Sequence, residues 1–147
     1  MGRLMAIDYG RKRCGVAVTD SLRIVATALA TVETARLNTF VTEYIGREQV
    51  DAIIVGWPLT LTGEPSESTR YIRLGIDRLR KVLPESLPIL WYDERFTSSM
   101  AHRSMIDSGM TRTQRRDKAL PDRMAATIIL NDFLQSRAYE EFKQQTR

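Results

Sequence analysis

Three apolar runs of strand length, centred on Ile7, Ile54 and Ile89, alternate with stretches of helical periodicity, and this alternation limits the folds open to the chain. Arg3 to Asp8 is a nearly unbroken apolar run, the pattern of a strand covered on both sheet faces. Tyr9-Gly10-Arg11-Lys12-Arg13 supplies a polar turn, Cys14 to Thr19 reads as the returning strand, and Ile24 to Val32 as a third antiparallel strand. Leu37, Phe40, Val41, Tyr44 and Ile45 then share one face of a helix over 36–49. Ala52 to Gly56 is a short buried strand stopped at Trp57-Pro58, because proline cannot donate to a sheet ladder. Ile72, Ile76, Leu79 and Leu83 mark a second amphipathic helix that begins at Ser66 and stops at Pro84. Pro88 to Tyr92 is the last strand. A helix from Ser98 or Ser99 to Gly109 and a final helix follow, separated by the basic stretch Arg112 to Lys118.

The order β β β α β α β α α, joined by right-handed crossovers, predicts an α/β fold. Its mixed five-stranded sheet has three antiparallel strands followed by parallel ones, with helices on both faces, and so is similar to the RNase H-like arrangement. A chain of 147 residues is expected to form one such domain over 1–147. Its apolar runs fall short of the roughly 18 residues a membrane span needs, and the N-terminus reaches Asp8 too soon for a signal peptide. A soluble, cytoplasmic protein without a membrane partner is expected. Cys14 is the only cysteine and His102 the only histidine. Internal disulfides and multi-cysteine zinc sites are thereby excluded, and any histidine-based chemistry would rest on one residue. Cys14 reads as a small buried hydrophobe. A formal charge of +4 favours a polyanionic partner.

Asp8 follows the first strand and Asp93-Glu94 the last, two strands expected to run parallel in the centre of the sheet. Ligands of open α/β sheets bind beyond such carboxyl ends. With one strand between them these ends lie roughly 10 Å apart, within reach of a Glu94 side chain leaning towards Asp8. Asp122 precedes Ala125, Ala126, Ile129 and Phe133 at helical spacing, in line with the buried stripe of the last helix. Each acid has a plain structural explanation: Asp8 as a turn cap, Asp93 or Glu94 paired with Arg95, Asp122 as a first-turn acid favoured by the helix dipole. Their joint placement points instead to a carboxylate site for a hard cation, Mg²⁺ or Mn²⁺, of the kind that activates water and stabilises the leaving oxygen in phosphodiester hydrolysis. Arg11, Lys12, Arg13 and Arg95 flank these acids. Arg112, Arg115, Arg116 and Lys118 form a second basic cluster. Both groups are candidates for phosphate contacts, against the alternatives of a solvated turn, an ion pair and a solvated loop.

Together these segments resemble the YqgF/RuvX family, whose members are described as Holliday junction resolvases and as pre-16S rRNA nucleases. The match comprises Asp8-Tyr9-Gly10, Lys12-Arg13, Gly15-Val16-Ala17-Val18, Val55-Gly56 with Pro58-Leu59, Asp93-Glu94-Arg95, and Asp122 with Ala125-Ala126 and Ile129-Leu130. It spans nearly the whole chain in the right order. The resemblance implies an RNase H-like nuclease whose metal site is Asp8, Glu94 and Asp122, with Asp93 as an additional candidate ligand. It also implies a role in maturing the 5′ end of pre-16S rRNA, with branched DNA at four-way junctions as the alternative substrate. That alternative would call for a homodimer, which nothing in the helical faces demands. Trp57 and Thr60-Leu61-Thr62 depart from the family pattern, which usually has a smaller aliphatic residue and an Asn-Met-Asn/Asp run. A phosphotransferase of the actin type would need a second large lobe, and a catalytically silent RNA-binding module would not need the acids.

Overall fold

The computed structural model describes residues 2–57, 69–93 and 119–145, the last segment with side chains from 124 onward. Its strands are β1 (Arg3–Asp8), β2 (Arg13–Thr19), β3 (Ala26–Glu33), β4 (Val50–Trp57) and β5 (Ile89–Asp93). Its helices are α1 (Leu37–Arg47), entered through a 3-10 turn at Thr34–Arg36, then α2 (Thr69–Val82), α3 (Ala119–Leu134) and α4 (Arg137–Gln145). The strands form one sheet in the order β3-β2-β1-β4-β5. β1 pairs antiparallel with β2, and β2 with β3, while β4 is parallel to both β1 and β5. The expected mixed sheet is present, with one correction: β5 lies at the edge of the sheet, not in its centre.

Strand alternation divides the core between the two faces. Met5, Ile7, Val16, Ile53 and Val55 pack with Leu37 and Val41 of α1 and with Ile72, Ile76 and Leu79 of α2. Leu4, Ala6, Ala17, Ala52 and Ile54 face Ala126, Ile129, Leu130 and Phe133 of α3. The small residues of β1, β2 and β4 on this second face leave room for α3 to lie close. Cys14 is fully buried, as its apolar surroundings in the sequence suggested, with its sulfur 3.5 Å from Thr34 Oγ1.

Three boundaries differ from expectation. Ile24 and Val25 belong to a turn and not to β3, because the Asp20 carboxylate accepts hydrogen bonds from the N–H groups of Leu22, Ile24 and Val25 (3.2, 2.8 and 2.9 Å), occupying donors a ladder would need. Trp57 is the last residue of β4 and not its stop signal. The C-terminal helix is two helices, because Ser136 accepts the N–H of Tyr139 through its hydroxyl at 3.3 Å and so starts α4 anew. The helix expected over 98–109 lies outside the described residues.

At the amino ends of the parallel strands the chain is held by Arg23, which has φ 58° and is buried. A non-glycine residue in this region is strained. The strain is offset by a hydrogen bond from Nε to the Gly2 carbonyl (2.9 Å), an ion pair with Asp51 (2.6 Å) and contact with the Phe142 ring (5.5 Å). Burial pushes the Asp51 carboxyl up, but the Gly2 N–H, Gln49 and Arg23 outweigh it and hold it below its ordinary value. A depressed carboxyl contributes stability above its unfolded pKa and loses it as pH falls through the folded one. Asp51→Asn is therefore expected to cost about 1–3 kcal/mol near neutral pH by leaving Arg23 buried without its counter-charge. The cost should shrink at about pH 3, where the wild type has begun to lose the pair. Urea denaturation of both proteins at the two pH values measures this.

Candidate active site

Register brings the carboxyl ends of β1, β4 and β5 to one level. Ile7 is opposite Val55, and Val55 is opposite Trp91. One residue further on, Asp8 stands level with Gly56 and Tyr92, and across β2 it is paired with Gly15. Asp8 shares the parity of Leu4 and Ala6, so its half-buried carboxylate belongs to the face covered by α3. Gly15 and Gly56 fall on that same face, at the parities of Ala17 and of Ala52 and Ile54. Asp8 thus has a residue without a side chain on each neighbouring strand. Sequence reasoning passed over these two glycines as site residues, although a glycine inside a strand is a signal of close approach by a ligand or backbone.

The turn after β1 is fixed tightly. Thr34 donates its hydroxyl to the Gly10 carbonyl (2.7 Å) and its N–H to the Lys12 carbonyl (2.9 Å). A Cβ on Gly10 would collide with the Arg13 carbonyl, so only glycine allows this close turn. Tyr9 turns to the opposite face, where burial pushes its phenol above its ordinary pKa against the opposing effect of a hydrogen bond with Arg78. Its ring is packed so closely on Gly75 of α2 that a side chain there would overlap it.

Of the other predicted site residues, Asp93 is exposed at the end of β5 and has the parity of Ile89 and Trp91, which puts it on the α2 face, opposite to that of Asp8. Its charge, after burial and Asp132, helps raise the pKa of Tyr92. Arg11 and Lys12 are exposed in the turn and Arg13 is half-buried at the start of β2. The Arg11 guanidinium lies over the Tyr71 ring at 4.7 Å. Asp122 is in the first turn of α3, four residues before the fully buried Ala126. Its side chain lies outside the described residues, as do Glu94, Arg95, Arg112, Arg115, Arg116 and Lys118. Among the described residues no three His, Cys, Asp or Glu side chains form a metal-holding group.

A family model for RuvX, described as a Holliday junction resolvase, matches residues 2–136. The chain belongs to the RuvX family. Relatives within it include a candidate pre-16S rRNA nuclease of Phocaeicola vulgatus, 47% identical over 95% of this chain and 99% of its own length. Another, of the same description from Porphyromonas gingivalis, is 48% identical over 91% of this chain and 96% of its own. Among solved structures, Thermus thermophilus RuvC is similar with a TM-score of 0.53 at 14% identity, covering 90% of this chain and 95% of that one. The T. thermophilus RuvC complex with a Holliday junction substrate gives a TM-score of 0.57 at 16% identity, covering 92% and 96% of the two chains. At this identity the likeness shows the fold, which is that of RuvC.

In this RuvX chain the need for a glycine opposite Asp8 is testable. Gly15→Val suits a strand by propensity but puts a branched side chain beside the carboxylate. The variant is expected to fold, with an unchanged far-ultraviolet circular dichroism spectrum, and to lose nuclease activity on the order of a hundredfold, the loss typical of displacing a reacting group by about 1 Å. A folded Gly15→Val protein with full activity would show that the site does not need a glycine opposite Asp8.

Proposed function

We propose that this chain is a metal-dependent nuclease that processes the 5′ end of pre-16S rRNA in the cytoplasm. The observation that carries the reading is the half-buried Asp8 carboxylate at the end of the central strand, set between two glycines and on the face covered by α3, the helix whose first turn contains Asp122. A carboxylate in that position is costly unless a cation or hydrogen-bond donors compensate it. A set of carboxylate oxygens without histidine or cysteine suits Mg²⁺ or Mn²⁺.

Asp8, Glu94 and Asp122 are assigned as the ligands. Glu94 is supported by its place in the sequence, directly after Asp93, the last residue of β5. The alternation of β5 argues against Asp93, which takes the face opposite to that of Asp8. The direction of α3 supports Asp122: α4, which follows α3, brings Phe142 to Arg23 at the amino ends of the parallel strands, and the first turn of α3 then belongs at their carboxyl ends. When bound, the divalent ions lower the pKa of water and stabilise the leaving oxygen of an in-line displacement. The protein's part is to hold three carboxylates, to keep the scissile phosphate in register, and to bind flanking phosphates through Arg11, Lys12 and Arg13. Arg95 and the segment containing Arg112, Arg115, Arg116 and Lys118 are assigned the same supporting role.

The relatives named for pre-16S rRNA favour RNA as the substrate. Junction resolution is the second reading, favoured by the family description and by the RuvC fold. Symmetrical resolution requires two active sites in a two-fold dimer, whereas trimming a precursor requires one.

Asp8→Asn, Glu94→Gln and Asp122→Asn are each expected to lower metal-dependent cleavage of pre-16S rRNA by at least about a hundredfold while the protein stays folded, and a chelator should stop the wild type. The assay is run beside synthetic four-way junctions. Folded variants with wild-type rates, or a wild type indifferent to chelation, would refute the carboxylate site. Paired symmetrical nicks in junctions with precursor RNA left intact would replace RNA by branched DNA.

A further inference from the structure

The chain's two tryptophans lie together near the carboxyl ends of the neighbouring parallel strands β4 and β5. Trp57 ends β4, and Trp91 lies two residues before the end of β5. Their rings meet edge to face at 4.7 Å, and the Arg73 guanidinium of α2 lies over Trp57 at 5.4 Å. Trp57 is half-buried against the α2 core, whereas Trp91 keeps 39% of its surface exposed. One exposed aromatic ring is ordinary on a protein surface. An aromatic pair packed against the core on one side and bordered by an arginine is a more specific arrangement.

The same combination recurs along α2, where Arg11 covers Tyr71 and the Tyr71 ring is 6.4 Å from that of Tyr9. Arg70 and Arg73 are both exposed on the early turns of this helix. Aromatic faces with neighbouring guanidinium groups match the chemistry of a nucleic-acid strand whose bases are unpaired, because bases stack on the rings and phosphates pair with the arginines. A duplex hides its base faces and cannot use the rings this way. Asp93, level with Trp57 on the same face, disfavours a phosphate over the rings themselves and leaves phosphate contacts to Arg70 and Arg73.

We propose that Trp57, Trp91 and Arg73 form a stacking platform for an unpaired nucleotide of the RNA strand that is cut at Asp8. The platform lies on the α2 face and Asp8 on the α3 face, at the same end of the sheet. A strand crossing that end presents its scissile phosphate to Asp8 and a base further along to Trp91. This rests on the reading of the protein as an RNA nuclease, and it adds that the strand is single where it leaves the active site.

Because both tryptophans belong to the platform, tryptophan emission reports on it alone. The full-length protein is titrated, without divalent metal, with a short single-stranded oligoadenylate and with the same strand in a blunt RNA duplex. The single strand is expected to quench the emission to saturation and the duplex to quench it far less. Trp91→Ala should weaken single-strand binding about tenfold, read by the anisotropy of a labelled strand. Trp91→Phe, which keeps an aromatic face, should retain most of the affinity. Arg73→Gln, an exposed change that leaves the core untouched, should weaken binding and reduce its salt dependence. Equal quenching by duplex and single strand would overturn the proposal. So would a Trp91→Ala protein that binds the single strand as tightly as the wild type. The titration needs no cleavage, so it separates from the nuclease reading: a wild type that stacks single strands but cuts no precursor with metal keeps the platform and loses the proposed substrate. A wild type that cuts precursor while Trp91→Ala binds normally loses the platform alone.

Discussion

β1 is hydrogen-bonded on both sides, to β2 and β4, and is covered on both faces, by α1 and α2 on one and by α3 on the other. Leu4, Met5, Ala6 and Ile7 are all completely buried. A slip of one residue in such a strand would exchange its two apolar faces and break both ladders at once, so the register is strongly specified. The position of Asp8 follows from that register. A carboxylate next to four fully buried residues has little freedom to move, and a site built on it is preorganised by the core itself.

The two faces of the sheet make different contributions at the carboxyl end. The α3 face is built from small residues: Ala6, Ala17, Ala52 and Ala126 allow the helix to approach, and Gly15 and Gly56 put no side chain next to Asp8. The α2 face is aromatic and cationic, with Tyr9, Tyr71, Trp57 and Trp91 set among Arg11, Arg73 and Arg78. In the proposed function the cation belongs to the first environment, and bases and phosphates to the second. The opposite end of the sheet is closed by Arg23, Asp51 and Phe142, whose role is to hold the chain and which include no group left over for chemistry.

Much of this was legible in the sequence, because period-2 and period-3.6 patterns report burial directly. The uninterrupted apolar run of β1, the helical stripe of α1 and the stripe from Ala125 to Phe133 all reappear as core. Features set by side-chain hydrogen bonds were not legible. Asp20 takes Ile24 and Val25 out of a strand that their β-branched side chains favour, and Ser136 divides what reads as one helix. The edge position of β5 is a matter of strand order, which local pattern does not encode. Asp8 and Asp93 both follow apolar strand runs and look equivalent in sequence. Only the pairing shows that they leave the sheet on opposite faces.

The central claim is that Asp8 forms part of a divalent-cation site, and metal binding measured apart from catalysis tests it most directly. Mn²⁺ titrated into the full-length protein and followed by electron paramagnetic resonance reports free and bound ion without any substrate. The account predicts saturable binding by the wild type that is weakened at least about tenfold in folded Asp8→Asn, since one of the few charged ligands is removed. Mn²⁺ bound equally well by the wild type and by Asp8→Asn would contradict it.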